Sequence, residues 1–267
     1  MNNLGFEELG RMILGQDPLP SPLSPALCGE LRFLLRLDQE AFRRVLEEQR
    51  NPQETFLSFC LMMAGELREQ YRLSGISDTV WQDTFSDIAI WSRRYRRETG
   101  KTGLAQYGWL CHHLTMELFR LGRLQFQPGG LDQPVELEGK TYPMGSPVLW
   151  VHIPEGEPLT PEGCQDSYRQ AAEFFRSEHP VFACESWLLS PVLPKLLGAG
   201  SNILAFQRDY TVFALHPESR QAEERIFGRV LDDPAGYPED TSLQRAAKAW
   251  LLKGEKIPAA SGLYCYK

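Results

Sequence analysis

The spacing of apolar positions changes once along the chain. From Leu4 to about Gly122 they recur at helical intervals: Leu31, Leu34 and Leu35, then, after a brief break, Phe42, Val45 and Leu46. Trp81, Phe85, Ile88 and Tyr95 mark a further helix opened by Asp78. This part reads as all α. The segment Asp17-Pro18-Leu19-Pro20-Ser21-Pro22-Leu23-Ser24-Pro25 predicts a stiff connector, because alternate prolines remove donors and push the residues before them into extended geometry.

After Gly122 short strand-like runs take over, at Arg123 to Gln127, Val135 to Leu137, Val148 to Ile153 and Val181 to Trp187. A strand near Tyr210 to Leu215 and a last one at Gly262 to Tyr266 follow. Helices are expected at Pro161 to Ser177, around Ser190 to Leu197 and at Thr241 to Leu252. The Pro161 helix carries Cys164, Tyr168, Ala171, Ala172 and Phe175 on one stripe, which predicts packing on the sheet. The expected class is α+β, with an all-α domain over residues 1–121 and a mixed-sheet domain over residues 122–267.

The junction after Val148-Leu149-Trp150-Val151-His152-Ile153 is the most specific local signal. The strand breaks at Pro154-Glu155-Gly156 and a helix begins at Thr160-Pro161-Glu162-Gly163. Thr160 has the chemistry of an N-cap, Pro161 suits the first helical position, and Gly163 permits close backbone approach. Such a turn is a candidate anion cradle, orienting more than holding, since a helix dipole adds only about 0.3–1 kcal/mol per charge.

With 267 residues and 42% hydrophobic content, the chain can build one large core or two modest ones. A net charge of −7 argues against a mainly electrostatic nucleic-acid binder. The six cysteines include no C-x-x-C pair, which fits neither a disulfide framework nor a zinc knuckle. Met1 to Glu8 lacks the basic start and apolar core of a signal peptide, and the longest apolar run, Phe56 to Ala64, is too short to span a bilayer. These features predict a cytoplasmic protein that acts neither on nucleic acid nor in a membrane. They leave its oligomeric state open.

Several strings resemble one known family. Tyr107-Gly108-Trp109-Leu110, Leu118 through Phe126, Trp150 through Gly156 and Glu185-Ser186-Trp187-Leu188-Leu189-Ser190-Pro191 look like a bacterial two-domain family of predicted acyltransferases. In that family a helical N-acyltransferase N-terminal domain precedes a C-terminal domain of the GNAT (N-acetyltransferase) type. The resemblance covers nearly the whole chain. It implies transfer of an acyl group from acetyl-CoA or another acyl-CoA to a small-molecule acceptor, expected to be an amine. The acyl-CoA would lie between the Val148 and Val181 strands, with the helical half shaping the acceptor site. Ile153, Glu155, Gly156, Thr160, Gly163 and Cys164 are the expected cofactor-binding positions, the Thr160 to Cys164 amides meeting the pyrophosphate. The loop departs from the family pattern of Arg or Gln, two residues, Gly, one residue, then Gly or Ala: the chain offers Pro154 to Gly163 instead, with the carboxylates of Glu155, Glu157 and Glu162 where a pyrophosphate would go. Arg169, Arg176 and Lys195 are the candidates to offset them. A chain with this fold and no cofactor binding, serving as a small-ligand or protein-binding module, is the alternative reading.

Acyl transfer to an amine needs a base within reach of the amine proton and a polarised carbonyl. His152, Glu155 and Glu185 are the available bases. Glu185 interrupts the apolar run Val181-Phe182-Ala183-Cys184, where a carboxylate is costly unless paired or wet, so it leads, with His152 second. Tyr264, with Tyr266 beside it, is the family-type proton donor to the departing thiolate. Cys184 on the opposite face offers a hydrolase nucleophile, but an ordinary buried cysteine explains it better. His113 and Glu117, four apart on a helix, read as a surface hydrogen bond ahead of a metal pair, with His112 turned away. Gly198-Ala199-Gly200-Ser201-Asn202 reads as a helix end and turn. The aromatic set from Trp81 to Trp109 reads mainly as core, and Arg93, Arg94, Arg96 and Arg97 as a solvated face.

Overall fold

A computed structural model describes residues 5–137, 139–178 and 180–266, so Leu4, where the helical pattern starts, lies outside the described residues. The chain forms two compact units, one of Met1–Leu121 with Pro154–Gly156 and one of Gly122–Ile153 with Glu157–Lys267.

The first unit is built from α1 (Phe6–Leu14), α2 (Pro25–Leu37), α3 (Gln39–Glu47), α4 (Pro52–Leu73), α5 (Asp78–Thr99) and α6 (Tyr107–Leu114). The last proline of the connector opens α2, with the Ser24 hydroxyl accepting from Leu27 N. The break before α3 is Asp38, whose carboxylate caps the new helix through Glu40 N and Ala41 N. α5 is capped by Ser77, not Asp78. Asp78 sits in the first turn and forms an ion pair with Arg68 at 2.8 Å. Trp81, Phe85, Phe42, Phe56, Phe59 and Tyr71 are all buried to 1% exposure or less except Phe42 at 2%, which makes this unit aromatic at its centre.

Two further aromatic residues, Trp91 and Trp109, meet a carboxylate that sequence reasoning did not single out. Asp87, 2% exposed, accepts from Trp109 Nε1 at 2.6 Å and Trp91 Nε1 at 3.2 Å, and His113 Nε2 lies 3.2 Å from the same oxygen. His113 is therefore turned inward, and it is His112 that meets Glu117, at 2.9 Å. Among the described residues no His, Cys, Asp and Glu cluster could hold a metal. The unit is also not purely helical, because Phe119–Leu121 forms a strand, β1.

The second unit contains β2 (Leu124–Gly130), the hairpin strands β3 (Val135–Leu137) and β4 (Lys140–Tyr142), β5 (Pro147–His152), α7 (Pro161–Phe174), β6 (Val181–Ser186), α8 (Leu193–Leu196), α9 (Asn202–Arg208), β7 (Thr211–His216), α10 (Gln221–Phe227), α11 (Ser242–Leu251) and β8 (Ala259–Cys265). Within this unit the main sheet runs β2-β5-β6-β8-β7, and β5 and β6 are parallel within an otherwise antiparallel set of described pairs. α7 packs its buried Cys164, Ser167, Tyr168 and Ala171 on one face of the sheet, where Tyr168 meets Phe182 at 4.8 Å and Phe126 at 6.3 Å between ring centroids. The opposite face is covered by the cluster of Leu131, Val135, Leu137, Val148, Ala183 and Leu263. The glycine-rich stretch ends differently from expectation: Ser201 caps a new helix, α9, through Ile203 N. No described helix is long and apolar enough to cross a membrane.

Candidate active site

The backbone geometry of β5 and β6 defines the site. Their shared register runs only through Leu149↔Phe182 and Trp150↔Ala183. Their outer edges stay paired much further. β2 accompanies β5 up to Gln125↔His152, and β8 accompanies β6 up to Ser186↔Ala260. The two strands therefore part beyond Trp150 and Ala183 while each remains anchored on its far side. Facing amides and carbonyls in the fork are then open to a ligand that lies along a strand edge.

Pleating sorts the fork residues by face. Trp150 and His152 on β5, Ala183 and Glu185 on β6, and Ser261 and Leu263 on β8 share one face by register. His216 on β7 joins them, since Ala214 is opposite Ser261 and His216 is opposite Ala259. The result is a polar cluster at the fork end of the sheet. Ser261 Oγ lies 2.7 Å from His216 Nε2 and 3.5 Å from Glu185 Oε2, and His216 Nε2 lies 3.7 Å from the same carboxylate oxygen. Glu185 and His216 keep side-chain exposures of 57% and 35%, whereas Ser261 is buried at 4%. Because Ser261 and Glu185 both face Nε2, the imidazole is not strung between nucleophile and acid as in a Ser-His-acid triad. The arrangement suits a solvent-reached carboxylate base with a hydroxyl and an imidazole beside it. His152, on the neighbouring strand, places Nε2 3.2 Å from Gln127 Oε1.

Sequence reasoning reached Glu185 and His152 but not Ser261 or His216. His216 ends the apolar run Val212-Phe213-Ala214-Leu215, much as Glu185 ends another, and that polar interruption is a usable signal. Ser261, inside Ala259-Ala260-Ser261-Gly262, carries none.

Tyr264 is not brought to Glu185. It is on the opposite face, in register with Phe182 below the fork, stacked with Phe182 at 5.9 Å and 5.0 Å from Tyr168. Burial leads the causes that push its phenol above the usual range. Packing among aromatics accounts for it. Cys184 lies on that face too, fully buried, with its thiol pushed up by desolvation, which removes it as a nucleophile.

The turn after β5 keeps its expected form, with the Gly163 and Cys164 amides capped within it. Thr160 Oγ1 accepts from Gly163 N at 3.1 Å, Thr160 O accepts from Cys164 N at 3.0 Å, and Pro161 has no N–H. The Cys164 side chain faces inward at 1% exposure, its thiol raised by burial to about 11. Gly163 is a close-fitting position, since a Cβ there would lie 3.0 Å from Thr160 Oγ1. Gly156 needs its glycine for a different reason, a φ of 119°. Ile153, half-buried, leads out of β5 into this turn.

The acidic loop has partners other than those expected. Glu155 meets Arg97 at 3.5 Å within the first unit, so one arginine of the basic cluster is spent on it. Arg169 instead bridges Asp166 and Glu173 on its own helix, and Lys195 lies over the Trp250 ring. Arg123, which sequence reasoning passed over, supports the loop from inside. It is 8% exposed and donates through Nη2 to Glu157 O at 2.7 Å and through Nε to Pro158 O at 3.1 Å.

Comparison with known proteins places the chain in a family. Residues 118–264 match the family described as the GNAT-like C-terminal domain, and residues 21–116 match the N-acyltransferase N-terminal domain. The chain belongs to this family of two-domain proteins with a GNAT-like C-terminal domain. It is also similar in fold to a crystal structure of an acyltransferase in complex with decanoyl-CoA and teicoplanin, at 24% identity and a TM-score of 0.74, over 98% of this chain and 88% of that one. A crystal structure of an acyltransferase with CoA and 10C-teicoplanin gives the same TM-score over 97% of this chain and 86% of that one, and an acyltransferase mutant with octanoyl-CoA gives 0.71. No curated protein matches the chain.

Proposed function

We propose that the protein transfers an acyl group from an acyl-CoA directly to a nucleophilic acceptor, an amine by preference. The carrying observation is the fork between β5 and β6 with Glu185 at its mouth. The pantetheine arm lies along the freed edges of Val151–His152 and Cys184–Glu185. Ile153, Gly156 and the first turn of α7 from Thr160 guide the phosphate end, as Arg123 holds the Glu157–Pro158 backbone in place. Glu185 takes the acceptor proton, with Ser261 and His216 fixing its carboxylate. His152 is the second candidate base. The acyl-CoA complexes of the similar acyltransferases support this reading, and the unpaired state of all six cysteines supports a reducing, cytoplasmic setting.

The test is calorimetric titration with acetyl-CoA and decanoyl-CoA, followed by CoA thiol release with teicoplanin as the first acceptor tried. Saturable binding is expected. Turnover is expected to fall by roughly 10²–10⁴-fold in Glu185→Gln. Unchanged turnover in that variant would remove Glu185 from the mechanism. The exposed Glu157 and Glu162 and the capped amides of Gly163 and Cys164 favour one second reading, a fold that binds another ligand and no CoA. Absence of binding by either acyl-CoA to folded protein would select it.

A further inference from the structure

We propose that the opening beside the start of β7 is a second ligand site, separate from the fork, and that it takes a small zwitterion of the α-amino-acid type, the ammonium on Asp209 and the carboxylate on Arg208. Strand register creates the opening. β6 stays paired with β8 as far as Val181↔Cys265, whereas the pairing of β7 with β8 begins only at Thr211↔Leu263. Tyr266 N donates to Pro180 O at 3.2 Å, so Tyr266 turns its backbone groups towards the β6 side. By alternation Cys265 turns its N–H and C=O to the other edge, where β7 has not yet started. The Cys265 side chain is anchored at the same time, with Sγ 3.3 Å from the Tyr142 hydroxyl oxygen. Ser261, beside Glu185, is four residues away along β8, about 13 Å at strand rise, so this edge is not the fork.

A concavity of about 470 Å³ lies at this edge, an ordinary size for a small-molecule site. Gln165 of α7, Arg208 and Asp209 at the end of α9, Thr211, Tyr264 and Cys265 line it. Gln165 Nε2 donates to Asp209 Oδ2 at 3.1 Å, and both residues act on the Tyr264 phenol, so side chains from three elements converge. The turn between α9 and β7 is fixed by Tyr210, which is 7% exposed and shares a 3.0 Å hydrogen bond with the Tyr168 hydroxyl. Asp209 is half-buried, and burial is the leading cause that raises its carboxyl above the ordinary range. A positive group placed against it relieves that cost. Arg208, its neighbour in the chain, is exposed. With one carboxylate and one guanidinium in the lining, a simple anion or a simple cation meets a like charge, whereas a ligand carrying both charges pairs with each. Cys265 adds an open strand-edge N–H and C=O, groups that the ligand's own carboxylate and ammonium can meet.

The experiment is calorimetric titration of the full chain with the standard L-amino acids, then with the two analogues of the tightest binder that lack the α-ammonium or the α-carboxylate. Saturable binding by at least one amino acid is expected, with each analogue weaker by about tenfold or more. Asp209→Asn is expected to weaken the amino acid by about tenfold or more while leaving the carboxylate-only analogue unchanged, and Arg208→Gln to weaken it while leaving the ammonium-only analogue unchanged. If Asp209→Asn does not fold, Arg208→Gln, at an exposed position, decides. Glu185→Gln is expected to leave this binding unchanged. Absence of saturable binding by every amino acid, in chain shown by circular dichroism to be folded, overturns the proposal. So does binding that survives Asp209→Asn and Arg208→Gln alike, and so does binding abolished by Glu185→Gln, which would put the amino acid in the fork.

Discussion

Asp87 illustrates how one residue commits a helical core. Its carboxyl group collects two indole N–H groups and faces a fully buried imidazole, so the side chains around it are arranged to satisfy polar oxygens that water cannot reach. Truncation leaves the indole donors without that acceptor. Asp87→Ala is expected to lower unfolding free energy by about 2–4 kcal/mol, read from urea denaturation, and a loss below about 1 kcal/mol would mean the donors find other acceptors. Tyr264 makes the opposite case. It has the chemistry of a proton donor, yet its ring belongs to the Tyr168–Phe182 stack on the far face of the sheet from Glu185. Tyr264→Phe is therefore expected to leave acyl transfer far short of the roughly 10²–10⁴-fold loss that removal of a general acid causes. A loss of that size, measured by thiol release, would return Tyr264 to the mechanism.

Between single residues and the whole lies the element, and here the second unit stores part of its stability in a titratable lock. Arg220 and the Tyr237 hydroxyl both donate to Glu223 at the start of α10, each at 2.5 Å. The Arg220 hydrogen bond is the main cause that holds the Glu223 carboxyl below the usual range. A lowered native value means that the contribution is present above the unfolded carboxylate range, about 4.3, and is lost as pH falls through the native one. Glu223→Gln is expected to be less stable than wild type at pH 6, with the gap closing towards pH 3, as followed by the urea midpoint. A gap constant with pH would assign the effect to packing. At this scale much of the fold is legible without coordinates. Short apolar runs bounded by turn residues mark β5 and β6, and Thr160-Pro161 marks α7, because such runs and helix caps are local. Short elements escape: β1 and β4 have three residues each, and α9 hides behind a glycine-rich stretch that Ser201 turns into a cap. The site divides the same way. Glu185 is visible as a charge in an apolar strand, whereas Ser261 and His216 reach it only through the register of β6, β8 and β7, which no local pattern encodes.

At the scale of the whole molecule, charge opposes the proposed ligand. The chain carries a net −7, and an acyl-CoA brings several phosphate charges of the same sign to a loop that displays Glu157 and Glu162. Most enzymes that bind polyphosphates use a basic field to draw the ligand in, and such binding weakens as salt is added. Here the sign is reversed. The long-range field repels the ligand, and affinity has to come from short-range contacts in the fork, which salt screens little. Raising ionic strength from about 0.01 M to 0.15 M shortens the screening length from roughly 30 Å to 8 Å and removes most of the repulsion while leaving those contacts. Acetyl-CoA is therefore expected to bind more tightly, and to associate faster, at 0.15 M than at 0.01 M salt, as measured by calorimetry and stopped-flow mixing. An affinity that falls over the same range would show that a local basic surface, and not the net charge or the acidic loop, governs the approach. Such a surface would have to come from arginines and lysines whose charges are not already spent in ion pairs like Arg97–Glu155 and Arg169–Asp166.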